Sequence, residues 1–225
     1  MILRGVLPIN KPKGLSSYDC IRKIKIVFPN TKLGHAGTLD PLASGLLLIL
    51  FNEANKIAQY LMNQDKEYVA VIELGKQTDT DDISGQVISQ RSYLSIKQNK
   101  LVEILQGFLG KQTQIPPKFS ALKQNGQRSY ILARQGFDFT PKARKIEIKE
   151  IELLDFNLPF ITIRTLVSKG TYIRALARDI GEHLGCGGTL ADLIRTKIGR
   201  FELNKAIDLS AIQVETIDSY LQLIN

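Results

Sequence analysis

Runs of apolar residues at helical spacing predict several helices. Ser16 and Asp19 stand at the head of such a segment, which ends at Pro29, as expected of a helix with a capping box. Tyr172–Leu184 has the strongest helical pattern, with its apolar residues on one face and Gly185 in the C-cap position. Further helices are predicted over residues 53–62, over a segment capped by Ser95 and closed by Gly110, over residues 127–135 and over residues 189–194.

Alternating and continuous apolar runs predict strands between these helices. Leu46–Phe51 is a short apolar run bounded by Gly45 and Asn52, which is typical of a buried strand. Further strands are predicted over residues 68–74, 87–88, 145–155, 160–167 and 198–203, and a helix or tail over residues 206–225. Helices and strands follow one another irregularly, with frequent hairpin-like pairs. We therefore predict an α+β fold with a mixed, mostly antiparallel central sheet and flanking helices.

The 30 basic and 22 acidic residues are distributed unevenly. Residues 111–205 carry 17 basic and 9 acidic side chains, and within them residues 118–145 carry seven basic side chains and one acid, Asp138. The seven are Lys118, Lys123, Arg128, Arg134, Lys142, Arg144 and Lys145. A stripe of this density indicates either a polyanionic partner, such as a phosphate backbone, or a solvated basic face, and charge alone leaves both open.

The sequence contains no membrane span, metal box or nucleotide motif. The longest apolar run is the six residues of Leu46–Phe51, whereas a span needs about 20, and no secretory signal is evident. Cys20 and Cys186 lie far apart without C-x-x-C spacing, as expected in a reduced compartment. No GxGxxG or P-loop occurs. We expect a cytoplasmic monomer that needs no metal or other cofactor.

Residues 34–45, Gly-His-Ala-Gly-Thr-Leu-Asp-Pro-Leu-Ala-Ser-Gly, form a tightly turned loop in front of the buried strand. Pro41 restricts the backbone of Asp40 to extended conformations, so this carboxylate is expected to be rigidly held. A carboxylate so placed is either a turn or capping residue or a working acid, and the loop alone does not distinguish the two.

Three further segments contain side chains suited to an active site. Tyr172 and Arg174 open the strongest helix and face one site only if they lie at a strand-to-helix junction; otherwise they are a half-buried tyrosine and a solvent-exposed arginine. Tyr68 starts a predicted strand, where it could also be a tyrosine at the edge of the core. His35 lies in the glycine-rich loop, but one histidine forms neither a metal site nor a catalytic triad.

Seven strings of residues occur in a fixed order, over residues 10–17, 34–47, 65–68, 74–82, 115–123, 168–174 and 179–187. They include Gly34-His-Ala-Gly-Thr-Leu-Asp-Pro41, Asp65-Lys-Glu-Tyr68 and Ser168-Lys-Gly-Thr-Tyr-Ile-Arg174. Each string alone is a weak signal. Together they resemble the TruB family of pseudouridine synthases, which act on bacterial tRNA, and the resemblance covers nearly all of residues 5–200.

The resemblance implies an enzyme that isomerises uridine 55 in the tRNA T-loop to pseudouridine, without a cofactor. Asp40 matches the family's essential aspartate, Arg174 the arginine that pairs with it, and Tyr68 the tyrosine that stacks on the flipped base and is proposed to transfer a proton. Substrate-binding positions of the family are matched by His35, Tyr172, Lys11, Asp82 and Leu193.

The resemblance also implies a domain organisation. A catalytic domain would cover residues 1–202 and include an insertion, residues 111–146, that clamps the tRNA stem-loop through the seven basic residues. We expect residues 118–145 to be mobile without RNA. Many family members carry a further PUA-like domain, and we expect residues 203–225 to form a short tail in its place.

A second class of function uses the same surface. A non-catalytic tRNA-binding or tRNA-folding protein would also need the basic stripe. The combination of Asp40, Tyr68 and Arg174 favours the enzyme, because a protein that only binds RNA has no need for an acid facing phosphate.

Overall fold

A computed structural model describes residues 3–124, 126–215 and 217–222, except for the side chains of residues 123, 124 and 218. The predicted RNA contact of the Lys123 side chain therefore lies outside the described residues.

The strands are β1 (Gly5–Lys11), β2 (Leu33–Ala36), β3 (Ser44–Phe51), β4 (Lys66–Leu74), β5 (Lys76–Thr78), β6 (Val87–Gln90), β7 (Gly110–Gln114), β8 (Lys123–Gln124), β9 (Gln127–Arg128), β10 (Arg144–Asn157), β11 (Phe160–Val167), β12 (Gly188–Ile198), β13 (Phe201–Glu202) and β14 (Ile207–Asp208). The helices are α1 (Ser17–Val27), α2 (Ala58–Met62), α3 (Gln98–Gly107), α4 (Ser129–Arg134) and α5 (Ile173–His183), with 3-10 segments at Asn52–Ile57, Leu203–Lys205, Leu209–Ala211 and Ile217–Ser219.

The first compact unit combines Met1–Tyr68 with Leu193–Asn225. Its sheet is centred on the antiparallel pair β1 and β3. β2 adds to β3 in antiparallel orientation, while β14 and the C-terminal part of β12 add in parallel to β1 and β3 respectively. This arrangement leads the chain from β2 through the glycine-rich loop directly into β3.

Strand β3 is buried on both faces, which explains its unbroken apolar run. Leu47 and Ile49 pack in one cluster with the apolar face of α1, including Ile24. Leu46 and Leu48 point the opposite way and pack in a second cluster that includes residues of α2. A strand covered on both sides shows no polar alternation in its sequence.

The second compact unit is Val69–Asp192. Its sheet has the strand order β4, β11, β10, β7, in which β10 is antiparallel to both of its neighbours. Helix α5 buries the side chains of Ile173, Ala177 and Ile180 along one face. Strands β5 and β6 form a separate antiparallel pair, and the acidic residues Asp79, Asp81 and Asp82 lie in the loop between them, the acidic loop.

The structure confirms the α+β class with mixed, mostly antiparallel sheet. Helix α1 has Ser16 as its N-cap, and the Asp19 side chain completes the predicted capping box. β3, β4, β6, β10, β11 and α5 occur where the sequence predicts strands and a helix.

One helix prediction is wrong, and one predicted N-cap is wrong. Residues 189–194 belong to strand β12, where Ile194 pairs with Ser44 of β3. A short apolar run does not by its period separate helix from strand, and here the neighbouring strand decides. Ser95 does not cap helix α3, because Lys97 occupies the N-cap position without a side-chain cap.

The C-terminal predictions are also partly wrong. Ile198 ends β12, and only Phe201–Glu202 of the predicted strand over 198–203 forms the next strand. The described residues between 206 and 222 form β14 and 3-10 segments in place of the predicted helix. Ile207 pairs with Ile9 of β1, which ties this region to the first unit.

The helices in the described part of the chain are short. α1 and α5 contain 11 residues each, and a bilayer span needs about 20. No helix among the described residues qualifies as a membrane-spanning segment.

Candidate active site

The loop that carries Asp40 is held by hydrogen bonds on both sides of this residue. The Leu39 amide donates to Ser17 Oγ at 2.9 Å, and Ser17 Oγ donates back to the Leu39 carbonyl at 3.2 Å. The Gly14 amide donates to the Pro41 carbonyl at 2.8 Å. These contacts agree with the expectation that the Asp40 backbone is rigidly placed.

A residue that the sequence analysis missed also contacts this loop. Arg195 in β12 is 1% exposed, and its guanidinium donates to the carbonyls of Gly37 at 2.9 Å and Leu46 at 2.8 Å. Strand β12 also carries Asp192 and Lys197, so the local sequence gives no signal that the Arg195 side chain is buried.

Lys11 ends strand β1 and is fully buried. Its Nζ donates to the carbonyls of Pro12 at 2.9 Å and Leu15 at 2.7 Å. Burial lowers the pKa of Lys11, and the charge of Asp40 acts in the opposite direction. The ammonium therefore lies in the electrostatic field of the Asp40 carboxylate.

His35 was predicted to lie in the glycine-rich loop but belongs to strand β2, just ahead of the Asp40 loop. Its Nδ1 is buried and has no hydrogen-bond partner among the described residues. Burial, and secondarily the charge of Arg195, lower the pKa of His35. The ring is therefore neutral at neutral pH and can exchange hydrogen bonds with a polar substrate group.

Tyr68 and Leu193 belong to the same unit as Asp40. Both side chains are 7% exposed. Next to Tyr68, the carboxylate of Glu67 accepts a hydrogen bond from Thr196 Oγ1 at 2.7 Å. Most of the Tyr68 ring is thus packed, and its predicted stacking on a base stays a prediction.

In the second unit, Arg174 binds the acidic loop and the insertion together. Its Nη1 lies 3.3 Å from Asp82 Oδ2 and donates to the Thr80 carbonyl at 3.0 Å, while Nη2 donates to the Phe119 carbonyl at 3.1 Å. Arg174 is 7% exposed, so the interpretation of this residue as a solvent-exposed arginine is wrong.

The Asp82 carboxylate is itself enclosed by donors. Oδ1 accepts from Thr80 Oγ1 at 2.9 Å and from the Ser84 amide at 3.0 Å, and it also accepts from Ser84 Oγ. Asp82 is 5% exposed. A buried carboxylate needs such partners, and they fix the direction in which it meets Arg174.

Arg178, one helical turn after Arg174, also binds a carboxylate of the acidic loop and a carbonyl of the insertion. The sequence analysis did not predict a role for this residue. Its Nη1 donates to Asp81 Oδ2 at 2.8 Å, Nε donates to Asp179 at 2.9 Å, and Nη2 donates to the Ile115 carbonyl at 2.8 Å. Burial raises the pKa of Asp81 to about 6, against the opposing charges of Arg178 and Arg174. The i, i+4 spacing from Arg174 was the signal in the sequence.

Tyr172 occupies the N-cap position of α5. Its amide donates to Gln114 Oε1 at 2.9 Å, and Gln114 Nε2 donates to the Tyr172 carbonyl at 3.1 Å. Gln114 is 2% exposed. This paired contact fixes the strand-to-helix junction at which Tyr172 and Arg174 were expected to lie.

The predicted site residues fall into two groups. Asp40, Tyr68, His35, Lys11 and Leu193 belong to the first unit. Arg174, Tyr172 and Asp82 belong to the second unit. The expected pairing of Asp40 with Arg174 stays a prediction.

Among the lysines of the basic stripe, Lys142 and Lys145 have exposed side chains. Lys118 forms an ion pair with Asp138 at 2.6 Å, and both side chains are well exposed. Exposed ammonium groups of this kind can exchange such partners for phosphate.

The arginines of the stripe contact the insertion or its surroundings. Arg128 donates to the Ala121 carbonyl at 2.6 Å, and Arg144 donates to the Gly170 carbonyl at 3.3 Å. The Arg134 guanidinium lies 5.6 Å from the centre of the Tyr130 ring. Their predicted contacts with an RNA backbone stay predictions.

Two family models match the chain. The model of the TruB family pseudouridylate synthase N-terminal domain matches residues 25–173. The model of the tRNA pseudouridylate synthase B C-terminal domain matches residues 174–222.

Curated relatives cover most of the chain. A Francisella philomiragia protein named tRNA pseudouridine synthase B is 49% identical over 212 residues, which are 94% of this chain and 70% of that protein. A Clostridium kluyveri protein of the same name is 42% identical over 217 residues, 96% of this chain and 75% of that protein.

Solved structures show the same architecture in longer chains. A chain of a Cbf5-Nop10-Gar1 complex has a TM-score of 0.72 and 30% identity, covering 93% of this chain and 53% of that one. A chain of an H/ACA RNP bound to a substrate RNA containing 2'-deoxyuridine has a TM-score of 0.70 and 27% identity, covering 93% and 52%. The present chain thus spans about half the length of these solved chains. The sequence match over most of its length shows that the chain belongs to the TruB family of pseudouridylate synthases.

Proposed function

We propose that the chain isomerises uridine 55 in the T-loop of tRNA to pseudouridine, with Asp40 as the group that acts on the glycosidic link. The proposal rests on the loop that carries Asp40. Membership of the TruB family supports the role of this loop, and the hydrogen bonds at Leu39 and Pro41 hold it in place. The names of the curated relatives supply the class of substrate, tRNA.

The chemistry is an isomerisation within one nucleotide. The bond between N1 and C1′ breaks, the base turns, and a bond between C5 and C1′ forms; C5 loses a proton and N1 gains one. Asp40 could add covalently to the base or the ribose. It could instead stabilise an oxocarbenium-like state, as carboxylates do in glycoside hydrolysis. Both routes need an ionised carboxylate in a fixed position.

The target base must leave the T-loop to react. Flipping a base costs a few kcal/mol, and stacking on an aromatic ring returns about 1–3 kcal/mol. In the proposal, Tyr68 and Tyr172 supply the rings, and Tyr68 transfers a proton. Leu193 contributes an apolar wall, and the neutral His35 binds the nucleotides near the extruded base.

Two cations support the carboxylates of the site. Arg174 pairs with Asp40 in the proposal, and its contact with Asp82 orients the guanidinium for that pairing. Lys11 supports the site from the end of β1, where its ammonium donates hydrogen bonds to two backbone carbonyls.

RNA binding is assigned to the insertion over residues 111–146. Its basic side chains would contact phosphates of the T-arm and read the shape of the stem-loop. Arg174 and Arg178 each donate to a carbonyl of this segment, at Phe119 and Ile115. In the proposal, RNA binding by the insertion can therefore influence the position of Arg174 through the hydrogen bond to Phe119.

The test is tritium release from a T-arm minihelix labelled at C5 of its uridines, with wild type and Asp40→Asn compared side by side. We expect release from position 55 with wild type and none with Asp40→Asn, while both proteins bind the minihelix equally. Release that persists in Asp40→Asn would remove the proposed role of the aspartate.

A minihelix in which only uridine 55 is replaced by cytidine is the substrate control. Release from that control would place the reaction at another uridine. Binding of tRNA by wild type without any release would instead favour the non-catalytic tRNA-binding or tRNA-folding protein.

A further inference from the structure

Arg195 joins the two ends of the loop that carries Asp40. Its side chain reaches three backbone carbonyls: Nη2 donates to Gly37 at 2.9 Å, Nη1 to Thr38 at 3.4 Å and Nε to Leu46 at 2.8 Å. Gly37 and Thr38 precede Asp40, and Leu46 follows it. One guanidinium therefore spans the loop from its start to its end.

The backbone of Arg195 holds the same loop end a second time. Arg195 pairs with Gly45 in the parallel contact between β12 and β3. A Cβ atom on Gly45 would lie 2.4 Å from the Arg195 carbonyl oxygen, and the φ angle of Gly45 is +100°. Only glycine tolerates this approach and this backbone conformation. The loop closes onto Arg195 at this point.

The charge of Arg195 is satisfied in an unusual way. The side chain is 1% exposed, and its hydrogen-bond partners are carbonyl oxygens rather than a carboxylate. A buried guanidinium is costly unless donors and acceptors match well. Its three guanidinium nitrogens each donate to a different carbonyl, a fork geometry that an ammonium group does not reproduce.

The electrostatic effect of Arg195 reaches the other residues around Asp40. Its positive charge contributes to lowering the pKa of both Lys11 and His35. Arg195 therefore acts on the same small region through its hydrogen bonds and through its charge.

We propose that Arg195 is a positioning residue of the synthase reaction, which holds the loop over residues 37–46 so that the Asp40 carboxylate meets the target nucleotide in a reactive position. The inference rests on the proposed function. Reacting groups must be placed to within a fraction of an ångström, and a misplacement of 1 Å can cost roughly 100-fold in rate.

The test compares Arg195→Lys, which keeps the charge, and Arg195→Gln, which removes it, with the control Arg4→Met. Arg4 lies in the same unit, and its side chain is 60% exposed. Under single-turnover conditions we expect both Arg195 variants to form pseudouridine roughly 100-fold more slowly at saturating tRNA. Their Kd for tRNA should stay within about threefold of wild type. Arg4→Met should match wild type in both quantities.

Amide hydrogen exchange gives a readout that does not depend on catalysis. We expect faster exchange in both Arg195 variants, confined to residues 37–46, with unchanged exchange in α1 and β1. A wild-type rate in Arg195→Lys, unchanged exchange in the loop, or failure of both variants to fold would each overturn the proposal, the last by assigning Arg195 a purely structural role.

The two proposals fail in different ways. If wild type does not release tritium, the proposed function fails, and hydrogen exchange still decides whether Arg195 positions the loop. If wild type is active and Arg195→Lys is equally active, the proposed function stands and the role of Arg195 is refuted.

Discussion

Arg174 and Asp82 form a buried ion pair, with Nη1 3.3 Å from Oδ2 and side chains that are 8% and 7% exposed. The residues are far apart in the chain and come from helix α5 and the loop between β5 and β6. Both also bind backbone groups nearby, so the pair fixes the acidic loop against the first turn of α5.

Loss of the Asp82 carboxylate should destabilise the fold. Asp82→Ala leaves the buried Arg174 guanidinium without this partner, and breaking a buried pair typically costs about 3–5 kcal/mol. Urea unfolding at pH 7 measures the change. The matched control is Glu103→Ala, which breaks the exposed pair of Lys100 and Glu103 and should cost below about 1 kcal/mol. Equal effects of the two variants would contradict the structural role of the buried pair.

Arg174→Lys should impair turnover although the charge is kept. The guanidinium contacts the Thr80 carbonyl, the Phe119 carbonyl and Asp82 at once, and a lysine ammonium cannot reproduce this planar arrangement. We expect roughly a 100-fold lower rate in single-turnover assays. An unchanged rate would mean that the orientation of Arg174 does not matter to the reaction.

Tyr68→Phe should lower turnover far more than tRNA affinity. The ring of Tyr68 is buried, so phenylalanine fills the same space, and the hydroxyl alone is lost. General acid-base catalysis typically contributes about 100-fold or more. Rate and Kd measured on the same minihelix separate the two effects. A wild-type rate would remove the proposed role of Tyr68 in proton transfer.

Asp81 should make the stability depend on pH in the weakly acidic range. Burial raises its pKa from 3.8 to about 6, so the folded state binds the proton more tightly than the unfolded state. Wild type should therefore lose stability relative to Asp81→Asn as the pH rises from about 4 to about 6, by up to about 3 kcal/mol.

Asparagine suits this position because Asp81 has a φ angle of +62°, a conformation that asparagine adopts readily. Urea unfolding of both proteins at several pH values measures the difference. If wild type instead gains stability relative to Asp81→Asn over this range, the attraction of Arg178 outweighs burial.

The exposed lysines of the insertion should contribute to the salt dependence of tRNA binding. Lys142 and Lys145 are exposed, and each phosphate contact contributes about 0.7–0.9 to the slope of log K against log salt. Replacing both by glutamine should reduce this slope by roughly 1–2. Lys100→Gln, on the exposed face of α3, should leave it unchanged. If the double variant keeps the wild-type slope, these two lysines do not bind RNA.

Local patterns in the sequence were sufficient where the stabilising contacts are also local. The Ser16–Asp19 capping box defines the start of α1, and the apolar face of α5 follows from helical spacing. The same ordered strings indicated the TruB family, which the family models confirm. In the capping box and along the α5 face, the residues that form the pattern lie within about two turns of one another.

Contacts between distant segments could not be predicted from these local patterns. Residues 189–194 have no decisive period, and they belong to strand β12, whose neighbours β3 and β4 lie far away in the sequence. Lys97 rather than Ser95 is the N-cap of α3 and makes no side-chain capping hydrogen bond, so the local capping pattern did not mark the start of this helix.

The sequence by itself determined the elements with strong local signals, the family, and the residue types available for catalysis. Only the tertiary structure decided which side chains are buried and what they hold: Arg195 on the Asp40 loop, and Arg174 and Arg178 on the acidic loop and the insertion. The physical reason is that a buried charge is tolerated only where the fold supplies matching acceptors. In this protein those acceptors are mostly backbone carbonyls. Every residue has such a carbonyl, so the sequence does not show which of them will accept a hydrogen bond from a buried cation.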